Sequence, residues 1–249
     1  MTYTPFELRV LPLFFYYIAL SILGIIMTLK MYNKWRERKV NPPLYLSIVF
    51  LFLTAALLML TLGLAEAVIT GFYMEIYRFS LPFSYGMVII ADIFLFKFVI
   101  ELVDKGKKVF IPLTILGVGI FIMLFLPWNW WGVPPEDYAG HLNLRLYTTL
   151  SLVLYSYIVY ILIARTSLKA AKATEDATTN IGLKLLFYAM ISMILFFLMF
   201  IGDTLMISLF DHPGYSEFVY IAWIFAILFF IFTYISLVMP KWVLKRIGK

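Results

Sequence analysis

Cysteine is absent from this chain, which excludes disulfides, thiolate metal sites, iron–sulfur clusters and cysteine nucleophiles. Histidine is nearly absent. The two present, His141 and His212, fall between apolar runs, so no bis-histidine haem can sit within a bilayer and a multi-histidine zinc site has no ligands there. A loop site of His141, Asp211 and His212 is the one metal constellation the letters allow, and it is too sparse to make a metal an expectation. Charge is scarce as well: Asp, Glu, Lys and Arg make up 14% of the residues, against roughly 25% in soluble domains. No G-x-S-x-G, H-E-x-x-H, Walker A or G-x-G-x-x-G pattern occurs, and no acid, base and nucleophile share a common depth. The expectation is a protein that is not an enzyme.

What the chain has instead is apolar surface. Hydrophobic residues are 63% and aromatic residues 19% of its 249 positions. Crossing a bilayer takes ~20 mostly apolar residues, and seven stretches approach or reach this: Val10 to Lys30, Leu44 to Phe72, Pro82 to Leu102, Phe110 to Trp128, Leu146 to Ile163, Gly182 to Phe210 and Phe218 to Met239. Asn41-Pro42-Pro43 opens the second helix, Pro112 fits the first turn of the fourth, and Pro127, Pro134-Pro135 and His212-Pro213-Gly214 mark turns. The expected fold is therefore all-α, an integral membrane bundle of seven transmembrane helices forming a single domain over residues 1–249. The first apolar run is too long for a signal-peptide core and meets the basic stretch Lys30 to Arg36, so it is expected to remain as a span.

Net charge is +6, but the basic residues lie in short runs between spans rather than on one face, which speaks against nucleic acid. They set orientation instead. Lys34, Arg36, Arg38 and Lys39, then Lys105, Lys107 and Lys108, then Arg165, Lys169 and Lys172, then Lys241, Lys245, Arg246 and Lys249 fall on one side, against Arg9, Arg78 and Arg145 on the other. Basic loops stay cytoplasmic, so the N-terminus is expected outside, the C-terminus in the cytoplasm, and the protein in the cell membrane as a multi-pass chain. Trp128, Trp130 and Trp131 outside, with Trp35 and Trp242 inside, form aromatic belts.

Ionisable residues inside spans are the default functional candidates, because each costs several kcal/mol unless paired or wetted. Lys97, Glu101 and Asp104 share one helical stripe and read as a structural ion-pair group near the cytoplasmic end. Glu66, Asp203 and Asp92 fall at ~8, ~12 and ~18 Å below the outer boundary, from the rise per residue. Facing one another, they would line a funnel open to the outside and bind a ligand amine, a cation or a proton. The alternative pairs Glu66 or Asp203 with Arg78 or Arg145, or leaves a carboxyl hydrogen-bonded to a neighbour. The turn Trp128 to Trp131, followed by Gly132 to Tyr138, reads either as a lid or as a helix-end anchor. Seven helices invite comparison with microbial rhodopsins, yet the last span has no lysine for a retinal Schiff base, so no retinal, and no other cofactor, is expected.

Leu64-Ala65-Glu66-Ala67, Tyr77-Arg78-Phe79-Ser80-Leu81-Pro82-Phe83-Ser84-Tyr85 and Phe94-Leu95-Phe96-Lys97-Phe98 are similar to the second-to-third-helix region of the seven-transmembrane sensor modules at the N-termini of some histidine kinases. Those modules often carry a glutamate late in helix two and end in a basic segment feeding an output domain. Glu66 and the tail Pro240 to Arg246 occupy similar places here. The sequence departs from the pattern by ending at Lys249, where a kinase would begin, so the resemblance implies signalling through a separate partner. The leading expectation is a receptor-like or sensory protein that takes a small or lipophilic ligand from outside and signals to a cytoplasmic or membrane partner. The alternatives are a proton- or cation-translocating transporter working through Glu66, Asp92 and Asp203, and an accessory subunit of a membrane complex.

Overall fold

The computed structural model describes residues 3–103, 106–130, 139–210, 212 and 214–239. They form seven long helices: α1 Leu11–Arg38, α2 Asn41–Thr70, α3 Glu75–Val103, α4 Lys107–Phe125, α5 Arg145–Ala173, α6 Ala177–Phe210 and α7 Glu217–Val238. Six of these, all but α3, meet the length and apolarity needed to cross a bilayer among the described residues. The molecule is a helical, multi-pass membrane protein. One small ladder accompanies the helices: β1, Thr4–Pro5, pairs antiparallel with β2, Phe72–Tyr73, in the register Thr4 to Tyr73.

Several helices continue past the apolar stretch that announces them. α1 runs to Arg38 and α5 to Ala173, while α6 starts at Ala177, because Lys, Arg, Glu and Ala are good helix formers whose charges do not interrupt backbone hydrogen bonding. Two prolines expected at helix starts lie inside. α3 begins at Glu75, ahead of Pro82, and α4 at Lys107, ahead of Pro112. Hydroxyls beside both prolines cap carbonyls in the same turns: Ser80 Oγ donates to the Tyr77 carbonyl (2.7 Å), Ser84 Oγ to that of Ser80 (2.7 Å), and Thr114 Oγ1 to that of Phe110 (2.8 Å).

The chain divides into two compact units, Met1–Ser156 and Tyr157–Lys249. In the first, small residues let helices approach, as packing without a hydrophobic driving force requires. A Cβ at Gly24 of α1 would collide with Thr54 Oγ1 of α2, and one at Gly63 of α2 would lie 2.9 Å from the Tyr77 Cα. Ser84 Oγ also reaches from α3 to the Ala56 carbonyl of α2 at 2.9 Å. On α4, Phe121 and Phe125 stack at 4.6 Å and press on Gly86 of α3. In the second unit, Gly202 of α6 faces the Phe218 ring of α7, Gly182 faces the Ser236 carbonyl, and Tyr160 stacks on Phe197 at 6.1 Å.

Candidate functional site

Glu66, Asp203 and Asp92 have different surroundings. Half-buried Glu66, in the penultimate turn of α2, accepts the backbone N–H of Tyr77 at 3.0 Å, in the first turn of α3. Buried Asp203, on α6, accepts both the backbone N–H (2.8 Å) and the hydroxyl (2.7 Å) of Ser216, the residue that precedes α7. A third side chain does the same at the α4–α5 turn. Buried Asn129 accepts the Leu144 N–H at 2.8 Å, just ahead of α5, and donates to the Met123 carbonyl at 3.1 Å. The first N–H groups of a helix have no partner within it, and an acceptor there contributes about 0.5–2 kcal/mol. For Glu66 and Asp203 the negative charge also complements the helix dipole. Both carboxyls are thus engaged with backbone at a helix start rather than with Arg78 or Arg145.

Asp92 lies on α3, 2% exposed, and accepts the hydroxyl of fully buried Ser156 on α5 at 2.7 Å. The neighbouring Tyr155, also buried, carries a hydroxyl with no hydrogen-bond partner among the described residues. That hydroxyl sits against α4 at Gly117, where an added Cβ would lie 2.8 Å from Tyr155 Oη and 3.2 Å from Ile89 Cγ2 of α3. Ile89 precedes Asp92 by three residues and so shares its face of the helix. α3, α4 and α5 therefore come together here, with Asp92 bonded to Ser156 and the Tyr155 hydroxyl against Gly117. Between Tyr77, where Glu66 is bound, and Asp92, α3 rises ~22 Å, so Glu66 and Asp92 do not share one cluster.

Lys97 bridges Glu101 at 2.9 Å, with its ammonium 5.9 Å from the Tyr45 ring and 5.6 Å from the Phe110 ring. Asp104 lies outside the described residues, as do Trp131 to Tyr138, Asp211 and the basic tail from Pro240. His141 stacks on Trp128 at 4.4 Å, and His212 accepts the Gly214 N–H at 3.2 Å. Among the described residues, no group of three or more side chains is arranged to hold a metal.

Sequence reasoning did not single out Ser156, Tyr155, Gly117 or the burial of Arg78. Arg78 is 4% exposed, donates to Glu75 at 3.2 Å and lies 4.9 Å from the ring of Tyr3, whose hydroxyl reaches the same carboxylate. A serine in an apolar run carries almost no signal, because α-helical serines usually satisfy themselves on their own backbone. Tyr3, which lies over Arg78, stands just ahead of the two-residue strand β1, and two residues give no strand periodicity to read.

Comparison with known proteins found no matching family model, no matching curated protein and no matching solved structure.

Proposed function

We propose that this chain is a receptor-like or sensory protein with seven spans in the cell membrane, its N-terminus outside and its C-terminus in the cytoplasm. The observation that carries the reading is the polar centre of Asp92 and Ser156, beside the unpartnered hydroxyl of Tyr155. A buried polar group is costly when its partner is lost, about 1–3 kcal/mol and more when charged. A ligand that alters this contact therefore has enough leverage to shift α3 against α5, and small shifts in packed helices resolve into discrete states. The ligand is small or lipophilic and enters from the outer side. The readers are cytoplasmic or membrane partners at the basic inner ends, where Arg36, Arg38 and Lys39 close α1. On this reading Glu66, Asn129 and Asp203 brace the three outer turns.

Native mass spectrometry after mild-detergent purification tests this. A small molecule retained by the parent and by Asp203→Asn, but lost in Asp92→Asn, is expected; equal retention in all three would count against it. A second reading, proton or cation translocation, draws on the depth of Asp92. It requires flux in proteoliposomes that Asp92→Asn abolishes.

A further inference from the structure

The hydrogen bonding at the polar centre is incomplete on the α5 side. Tyr155 and Ser156 are consecutive on α5, 1% and 0% exposed; Ser156 is bonded to Asp92 of α3, and the Tyr155 hydroxyl lies against Gly117 of α4, the glycine that Ile89 of α3 also approaches. Only a glycine on α4 leaves room for that hydroxyl, since a Cβ at position 117 would fall 3.0 Å from Tyr155 Cζ. A tyrosine hydroxyl buried without a partner costs about 1–3 kcal/mol, so its place here calls for a second state in which it is bonded.

The basic residue of α3 closest to Asp92 in sequence is committed elsewhere, Lys97 being bonded to Glu101. The titratable side chains of α4 are Lys107 and Lys108, both in its first turn. The titratable residues of α2 are Tyr45 and Glu66, of which Glu66 is bound at Tyr77. On α3 itself the nearest others are Tyr85 and Lys97, and on α5 Tyr155 is the titratable side chain that lies against Gly117.

We infer that Asp92, Ser156 and Tyr155 form a buried proton-binding site. Asp92 takes one proton from water and returns it there; the bond that forms and breaks is its Oδ–H, and nothing else is exchanged. As a carboxylate, Asp92 accepts from the hydroxyls of both Ser156 and Tyr155. As an acid, it donates its proton to a hydroxyl oxygen, which a rotatable O–H can offer without moving a helix. The inference rests on reading this pair as the working centre of the protein, and it names the proton as the species that centre answers to.

Infrared difference spectroscopy of the full chain in lipid nanodiscs, between alkaline and acid pH, reads the site directly. An acid carbonyl band should appear as pH falls, move in heavy water and vanish in Asp92→Asn. Ser156→Ala and Tyr155→Phe should keep the band and displace its midpoint by about one pH unit or more, since each removes a hydroxyl partner of the carboxyl. The same acid band in a folded Asp92→Asn variant would overturn the inference. If that variant does not fold, unmoved midpoints in both hydroxyl variants would overturn it instead. A midpoint that depends on sodium but not potassium would replace the proton site with a cation site. Because the band reports protonation and not signalling, its presence without ligand retention would refute the receptor reading alone, and its absence with ligand retention would refute the proton site alone.

Discussion

Asp203 and Glu66 illustrate how the same residue type serves a helix start rather than a binding cavity. Asp203 accepts two hydrogen bonds from Ser216, so Asp203→Ala should destabilise the fold by about 1–3 kcal/mol, whereas Asp203→Asn keeps an acceptor oxygen and should cost less. Thermal unfolding in detergent distinguishes them. Glu66→Ala loses one bond at a half-buried position and should cost about 1 kcal/mol. Glycines give a second residue-scale test. Gly24→Ala drives a methyl into Thr54, while the space around Gly119 is open; the first should destabilise by about 1–3 kcal/mol and the second should be neutral or slightly stabilising. That Glu66, Asp92 and Asp203 lie within apolar runs was legible in the sequence. Their hydrogen-bond partners were not, because a backbone N–H at a helix start carries no letter of its own.

At the scale of elements, the number and placement of the helices were legible because an apolar run of this length has few alternatives to a helix. Their ends were less so. Hydropathy falls at Lys30, yet α1 continues to Arg38, since hydrocarbon thickness limits the apolar run and not the helix. Pro82 looked like a start because a proline removes one hydrogen bond, but a single lost bond does not end the helix and α3 begins at Glu75. The β1–β2 ladder is held by few bonds, among them Phe6 N–H to the Gly71 carbonyl at 2.8 Å, with the Tyr3 ring at Arg78. Replacing residues 3–6 by a Gly/Ser stretch should therefore raise hydrogen exchange at the α2–α3 turn while leaving the middle of α3 protected. Loss of protection throughout α3 would mean that the strand is needed for the helix itself.

For the whole molecule, the absence of native cysteine makes orientation directly measurable with single introduced cysteines. With the N-terminus outside, impermeant thiol reagents applied to intact cells should label Thr4→Cys and Gly140→Cys but not Lys39→Cys or Glu175→Cys. The reverse pattern would invert the topology and place the carboxyls on the other side. The central claim is that a change at the Asp92–Ser156 contact reaches the cytoplasmic ends of its helices. From Ser156 to the end of α5 at Ala173 is ~26 Å of helix. The most direct measurement is hydrogen–deuterium exchange of the parent and Asp92→Asn in nanodiscs, followed along α3 and α5. Altered exchange at the cytoplasmic ends, near Val103 and Ala173, is the expected result. Changes confined to the turns around residues 92 and 156 would contradict the claim and leave the polar pair a local packing feature.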